Sequence, residues 1–206
     1  MNALLKEGAP KIVLASASAI RRTLLTNAGI PCVVDPGAVD EDEIKQAMKK
    51  EGAPPAAVAE MLAELKAMRV APRHGNAFVF GADQMLECNG IWFDKPVDRD
   101  HAAAHLTALG GRTHRLISSA VCVRSGARIW HHTATASLTM RPLSPAFIEA
   151  YLDAAGTAVL KSVGAYQLEG LGAQLFSRIE GDYFTVLGLP LLPILAFLRS
   201  NNVIAE

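Results

Sequence analysis

Serine and arginine side chains gather where the first apolar strand of the sequence leads into a helix. Ser16, Ser18 and Arg21 follow the strand-like run KIVLA. The N–H groups at the start of a helix, two hydroxyls and a guanidinium together suit a phosphate group. In the structural alternative, Ser18 only caps the helix, and Arg21 and Arg22 face the solvent. An anion site is therefore one of two interpretations of this segment.

A carboxylate ends the most hydrophobic strand that the pattern predicts, at residues 77–83. Asp83 follows the apolar run AFVFGA, and an unpaired carboxylate is costly in apolar surroundings. Ligands of α/β sheets tend to bind at the carboxyl ends of strands, so Asp83 could bind Mg²⁺ or accept a proton from water. The alternative is a capping Asp in the turn before a hairpin. Gln84 beside it could read a base edge or be a surface amide.

Two isolated lysines and a glycine-rich segment complete the candidates. Lys66 lies on the helix that follows Pro54-Pro55, and Lys95 precedes a proline that keeps its backbone extended. Each lysine alone is typical of a solvated surface. The segment GAYQLEGLG at 164–172 indicates a closely packed loop around Tyr166 and Glu169, and it lacks the spacing of a dinucleotide fingerprint. Structural turns would explain it equally well.

The elements that must position these residues alternate between strands and helices. We predict strands at 11–15, 32–34, 77–83, 115–124, 128–140 and near 173–176. We predict helices at 20–28, around 43–50, from 54–55 to 72, at 98–110 and 144–156, and at the end of the chain. Asn89-Gly90 and Ser125-Gly126 predict antiparallel hairpins, and 178–182 reads as a charged turn. The fold class is therefore α/β with a mixed sheet and flanking helices.

Composition narrows the classes of partner. Twenty basic residues balance twenty acidic ones, so no net field favours nucleic acid or an acidic membrane. The most apolar run, 186–198, holds two prolines and is too short to span a bilayer. The N-terminus lacks the apolar stretch of a signal peptide, and three widely spaced cysteines favour reduced, mostly buried thiols. We expect a cytoplasmic protein that binds neither nucleic acid nor membrane.

The order and spacing of these motifs, from Leu14 to about Leu192, resemble the Maf family of nucleotide pyrophosphatases. The matching segments are LASASAIRRTLL at 14–25, Asp40-Glu41, LAELKA at 62–67, GAD at 81–83, Lys95-Pro96, GGRTH at 110–114, RPLS at 141–144 and IEGDYFTVLGLP at 179–190. The resemblance implies a single domain over 1–206 with an elongated, inosine-triphosphatase-like architecture and a central cleft. It also implies hydrolysis of a nucleoside triphosphate to the monophosphate and pyrophosphate, and it suggests a homodimer.

The resemblance also assigns roles to residues. Asp83 matches the family's catalytic carboxylate, and Glu41 matches an acidic residue that would share a divalent metal, Mg²⁺ or Mn²⁺, with it. The cleft residues that would handle the phosphates are Ser16, Ser18, Arg21, Lys66 and Lys95.

Departures from the family pattern bear on the substrate. Gln84 replaces a Thr typical of the branch acting on dTTP and UTP, and Gln84 with Glu169 resembles the branch associated with 7-methyl-GTP. That branch usually has Trp where this chain has Ile20, which offers an apolar contact in place of a stacking indole. Glu169 could accept the guanine N–H groups and complement the positive charge of the methylated base. The sequence favours 7-methyl-GTP; the alternatives are a dTTP/UTP pyrophosphatase and a non-catalytic nucleotide-binding regulator of cell division.

Overall fold

Helices and strands alternate along the chain in a computed structural model that describes residues 5–205. The strands are β1 (Ile12–Leu14), β2 (Val33–Val34), β3 (Phe78–Cys88), β4 (Ile91–Phe93), β5 (Thr113–Arg124), β6 (Ala127–Met140) and β7 (Phe176–Glu180). The α-helices are α1 (Ala19–Asn27), α2 (Glu41–Lys50), α3 (Pro55–Val70), α4 (Arg99–Leu109), α5 (Pro145–Ala155), α6 (Tyr183–Val186) and α7 (Leu191–Ser200). Among the described residues, no helix is both long and apolar enough to cross a bilayer.

The chain divides into two compact units, each assembled from separate segments. The first unit comprises Met1–Gln84, Ser118–Ala134 and Gly188–Glu206, and the second comprises Met85–Ile117 and Thr135–Leu187. The long strands β3, β5 and β6 contribute residues to both units.

The first unit is built on a mixed sheet in the order β2-β1-β3-β5-β6. Strand β1 pairs in parallel with both β2 and β3, with Val13 opposite Val33 and Val79. One face of the sheet packs valine side chains, among them Val13 and Val79, against Ala63 and Ala67 of α3. Helix α3 can therefore lie close to β3, because no large side chain separates them.

The second unit has antiparallel pairs and its own apolar core. Strand β4 pairs with β3, and β7 pairs with β6. Buried side chains of α4 and α5, including Leu106 and Leu152, pack with Leu138 of β6 and Tyr166 in one cluster. This core includes Ala165 and Tyr166 of the glycine-rich segment that the sequence singled out.

Several sequence predictions are confirmed. The sheet is mixed and the class is α/β. The β3–β4 hairpin turns at Asn89 and Gly90, which both have positive φ, as a two-residue hairpin requires. Asp98 and Ser144 cap α4 and α5 by accepting main-chain N–H groups. The three cysteines are free thiols, and two of them are buried.

Two predicted elements and two predicted boundaries differ from the structure. Strand β3 continues past Asp83 to Cys88, because it finds a new partner in β4 after β1 has ended. Residues 173–175 of the strand predicted near 173–176 belong to a 3₁₀ turn, Leu171–Leu175, and the strand begins at Phe176. The predicted charged turn at 178–182 starts inside this strand, β7. Its exposed residues lie at the sheet edge against β6, so alternating charges are tolerated there. Helix α2 begins at Glu41, because Asp40 caps it.

Candidate active site

A buried lysine lies between two carboxylates in the first unit. The Lys66 Nζ is 2.6 Å from an oxygen of Asp83 and 2.6 Å from an oxygen of Glu41. Lys66 and Asp83 are buried, whereas the Glu41 side chain is partly exposed. Lys66 is therefore not a solvated surface lysine, and three residues predicted from separate motifs are brought to one point.

The strand position of Asp83 differs from the prediction. It lies inside β3 and not at its end, so it is not the cap of a turn. It does lie beyond the point where the parallel neighbour β1 has finished at Leu14. Asp83 is therefore at the carboxyl end of the β1–β3 pair, where a ligand of an α/β sheet is expected, although its own strand continues.

Gly81 explains how Lys66 reaches Asp83. A Cβ at residue 81 would lie 1.9 Å from the carbonyl oxygen of Ala63 and 2.9 Å from the amide nitrogen of Ala67. Any side chain there would overlap the main chain of α3. The glycine of the GAD motif thus permits the approach that places the ammonium of Lys66 on the neighbouring carboxylate.

A second close approach lies in the loop between β2 and α2. A Cβ at Gly37 would be 2.4 Å from the carbonyl oxygen of Lys66. The loop is held at Asp35, whose carboxylate accepts hydrogen bonds from Arg73 at 2.7 and 3.0 Å and lies 2.7 Å from His74 Nε2. These hydrogen bonds lower the pKa of Asp35. The same loop leads into α2 and delivers Glu41, the first residue of that helix.

Arg21 is buried and bonded to the protein itself. Its Nε donates to the carbonyl oxygen of Gly188 at 2.8 Å, and its Nη1 donates to Ser16 Oγ at 2.9 Å and to the Ala82 carbonyl oxygen at 2.6 Å. Burial lowers the pKa of the guanidinium, while the carboxylates of Asp83 and Glu41 act in the opposite direction. The prediction that Arg21 could face solvent is wrong; Arg22 alone is exposed.

Gly188 contacts Arg21, and the sequence did not predict this contact. It has a φ of +92°, and a Cβ there would lie 3.5 Å from the Arg21 guanidinium and 3.5 Å from the Gln84 side-chain oxygen. Its carbonyl oxygen holds Arg21 from a segment far along the chain. The glycine of the GLP motif was the available signal, because a required positive φ often marks a close approach.

The two serines differ in their contacts. Ser16 is buried, and its Oγ accepts hydrogen bonds from Arg21 and from the Ser18 N–H. Ser18 occupies the N-cap position of α1, but its side chain makes no capping hydrogen bond. The structural alternative for Ser18 is therefore wrong as stated. Ile20, in the first turn of the same helix, is half-buried.

Gln84 is half-buried and donates from Nε2 to Ser118 Oγ at 3.0 Å. Since side chains alternate along a strand, Gln84 and Asp83 point to opposite faces of β3. Gln84 nevertheless lies near Arg21, because a Cβ at Gly188 would be 3.5 Å from both side chains.

Lys95 and Glu169 belong to the second unit. Lys95 is exposed, and it precedes the buried Pro96. Glu169 is exposed within the glycine-rich segment. Both side chains are available to a ligand at the surface of that unit, and their predicted roles stay predictions.

Two carboxylates of the first unit are the candidate ligands of a divalent metal. The Asp83 and Glu41 carboxylates converge on one cationic group, the ammonium of Lys66, so a cation is already accommodated between them. Within residues 5–205, no cluster of three or more His, Cys, Asp or Glu side chains could hold a metal ion. Mg²⁺ commonly uses one or two carboxylates and completes its shell with substrate phosphates and water. A metal of that kind would be held by the Asp83 and Glu41 carboxylates together with oxygens of the substrate.

Comparison with known proteins gives one family and close relatives. The model of the family described as Maf-like protein matches residues 11–201. A nucleoside triphosphate pyrophosphatase of Paramagnetospirillum magneticum is 59% identical over 92% of this chain and 98% of its own length. One of Granulibacter bethesdensis is 51% identical over 94% and 98%. A 7-methyl-GTP pyrophosphatase of Rhizobium meliloti is 49% identical over 95% and 98%.

Proposed function

This chain belongs to the Maf-like protein family and is a nucleoside triphosphate pyrophosphatase, and we propose that it acts on 7-methyl-GTP. The products are then 7-methyl-GMP and pyrophosphate. The observation that carries the proposed chemistry is the buried Lys66 held between Asp83 and Glu41. The ammonium can bind an anionic phosphate oxygen, and a carboxylate beside it can accept a proton.

Lys66 and Arg21 contribute positive charge beside Asp83. An ammonium so little exposed to water interacts strongly with an anion that reaches it. In our proposal, Lys66 exchanges the partly exposed Glu41 for an oxygen of the triphosphate, because Glu41 is the partner that water can most readily solvate. Arg21 donates hydrogen bonds to three oxygens of the protein. These bonds hold the segment after β1 and the middle of β3 together beside Asp83.

The chemical step is hydrolysis at the α-phosphorus. Asp83 orients a water and accepts its proton as the new bond to phosphorus forms. The bond to the oxygen that bridges the α- and β-phosphorus breaks, and pyrophosphate leaves with that oxygen. Mg²⁺ or Mn²⁺, held by Asp83, Glu41 and the triphosphate, would supply a Lewis acid for the phosphate oxygens and a lower pKa for the water.

Two residues support the choice of base. Glu169 is an exposed carboxylate, which can accept the N–H groups of guanine and complements a base made positive by methylation. Gln84 offers an amide on the face of β3 opposite Asp83. A relative named 7-methyl-GTP pyrophosphatase is 49% identical to this chain, and its name supports the choice of substrate.

A nucleotide panel tests the proposal. The purified chain is incubated with 7-methyl-GTP, GTP, dTTP and UTP in turn, with Mg²⁺ and then Mn²⁺, and pyrophosphate and the monophosphate are quantified. We expect the highest kcat/KM for 7-methyl-GTP, with GTP lower because the unmethylated base lacks the positive charge. If kcat/KM is highest for dTTP or UTP, that nucleotide is the substrate in place of 7-methyl-GTP. If nucleotides bind but are not cleaved, the protein is a non-catalytic nucleotide-binding regulator.

Assembly and location remain predictions from the sequence. A homodimer, a cytoplasmic location and the absence of nucleic-acid binding are expected from the resemblance and from zero net charge. Sedimentation of the purified chain, with and without an oligonucleotide, measures the first and the last of these.

A further inference from the structure

We propose that Tyr166 and His114 are positioning residues for base selection, because they fix the turn that presents Glu169. The inference rests on the proposed function, since it takes Glu169 as the residue that reads the base. All the residues involved belong to the second unit.

Tyr166 is the buried end of this arrangement. It is 4% exposed, and its hydroxyl lies 2.7 Å from His114 Nε2. Its ring meets Phe176 edge-on at 4.8 Å between centroids, and His114 lies 5.9 Å from the same Phe176 ring. Tyr166 is thus fixed by a hydrogen bond and by ring contacts, which restricts both its position and its orientation.

The backbone before Tyr166 adopts conformations that need support. Gly164 and Ala165 both have positive φ, 73° and 63°, and this region is unfavourable for alanine. The Ala165 carbonyl accepts a hydrogen bond from the buried Tyr151 hydroxyl at 3.2 Å. A Cβ on Gly164 would lie 2.6 Å from Leu86. The chain enters the turn along a route that its surroundings determine closely.

The turn itself connects Tyr166 to the carboxylate at residue 169. The Gly170 N–H donates to the Gln167 carbonyl at 3.2 Å. A Cβ on Gly172 would lie 2.4 Å from the same carbonyl oxygen, so residues 167–172 pack on themselves. Glu169 is exposed on this turn, three positions after the anchored tyrosine. We therefore expect a displacement of Tyr166 to move Glu169.

The anchor is a neutral pair, which suits positioning and not proton transfer. His114 is buried, and burial lowers its pKa to about 4. Its Nδ1 has no hydrogen-bond partner among residues 5–205, so a protonated ring would carry a charge that only the tyrosine oxygen stabilises. Burial likewise raises the pKa of Tyr166. Neither group ionises at neutral pH.

The test compares Tyr166→Phe with Thr107→Val, which removes an exposed hydroxyl bonded to the Ala103 carbonyl on α4 of the same unit. For each variant, kcat and KM are measured with the best and the poorest cleaved nucleotide of the panel. Loss of one buried hydrogen bond changes an equilibrium constant about fivefold. We expect the kcat/KM ratio between the two nucleotides to fall about fivefold in Tyr166→Phe, through KM, with kcat and the control unchanged. An unchanged ratio, or equal changes for both nucleotides, overturns the inference.

A second readout is independent of catalysis. Amide hydrogen exchange at Gly170 and its neighbours is compared in the parent, in Tyr166→Phe and in His114→Gln, whose amide can still bond the tyrosine hydroxyl. We expect faster exchange in Tyr166→Phe and near-parent exchange in His114→Gln. If the parent protein cleaves no nucleotide, the proposed function is wrong, but the positioning role of Tyr166 can still be tested by hydrogen exchange. Unchanged exchange in Tyr166→Phe would overturn that role.

Discussion

Each unit of the molecule buries a polar cluster, and the two clusters remain buried for opposite reasons. In the first unit, Lys66 keeps its place because two carboxylates surround it. In the second, His114 and Tyr166 remain buried because both stay neutral. A buried charge needs a partner, whereas a buried neutral group needs only a hydrogen bond.

The two clusters should therefore be sensitive to different perturbations. Removing one partner from a buried charge cluster leaves the other charge uncompensated, so substitution is the sensitive probe of the first unit. A neutral buried imidazole opposes protonation, so acid is the sensitive probe of the second. The predictions that follow use these two probes, beginning with the largest effect.

Asp83→Asn should lower turnover about 1,000-fold, within the usual contribution of a group that accepts a proton in the transition state. The amide keeps the shape of the side chain but cannot take the proton or balance Lys66. Pyrophosphate release measures the rate, and circular dichroism checks the fold. Asp153→Asn, at an exposed carboxylate on α5, is the matched control and should match the parent. Parent-level turnover in Asp83→Asn contradicts the assigned role.

Stability should fall by about 3 kcal/mol as the pH is lowered from about 6.5 to 4, from His114 alone. Its pKa is lowered from 6.5 to about 4 in the folded chain, so the unfolded chain binds the proton first and acid favours unfolding. The contribution is complete above pH 6.5 and is lost by about pH 4. Urea unfolding at several pH values measures it. His114→Gln should flatten that part of the profile, and an unchanged slope would count against the neutral pair.

Arg21→Lys should lower the free energy of unfolding by about 2 kcal/mol, because it leaves buried carbonyl groups without donors. The charge is kept, so the loss reports the hydrogen bonds to Gly188, Ser16 and Ala82. Arg22→Lys, one position away and exposed, is the control and should change stability by less than about 0.5 kcal/mol. Equal losses in the two variants would show that the buried contacts contribute nothing special.

The smallest effect should come from an exposed charge network. Arg128, at the start of β6, forms ion pairs with Glu60 at 2.9 Å and Glu64 at 2.6 Å, but water screens these pairs. Arg128→Gln should cost less than about 1 kcal/mol in thermal unfolding and leave turnover unchanged. A loss as large as that of Arg21→Lys would remove burial as the basis of the comparison.

Local signals predicted the fold best. The Asn89-Gly90 turn and the caps at Asp98 and Ser144 depend on residues close in sequence, and all three are confirmed. The end of β3 was wrong because its length depends on β4, a partner that a single strand pattern does not contain. The 3₁₀ turn at Leu171–Leu175 was missed because short apolar runs fit several conformations.

In the candidate site, too, the residue types could be predicted from the sequence, but contacts between distant segments could not. The motifs marked Lys66, Asp83 and Glu41 as candidates, and the structure joins them. That Arg21 turns inward could not be read from its helix, because its acceptors Ala82 and Gly188 come from distant segments. Sequence order carries residue types reliably, but the direction of a long side chain depends on which distant carbonyl groups it can reach.

Residue 81 carries no functional atom, and yet it sets the spacing between an ammonium and a carboxylate. A methyl group there would wedge against the Ala63 carbonyl and push the helix, with its lysine, off the strand. Gly81→Ala should therefore uncouple Lys66 from Asp83 while every charge in the molecule remains. A mutational survey restricted to ionisable side chains would omit Gly81, although we expect substitution there to be as damaging as substitution of Asp83.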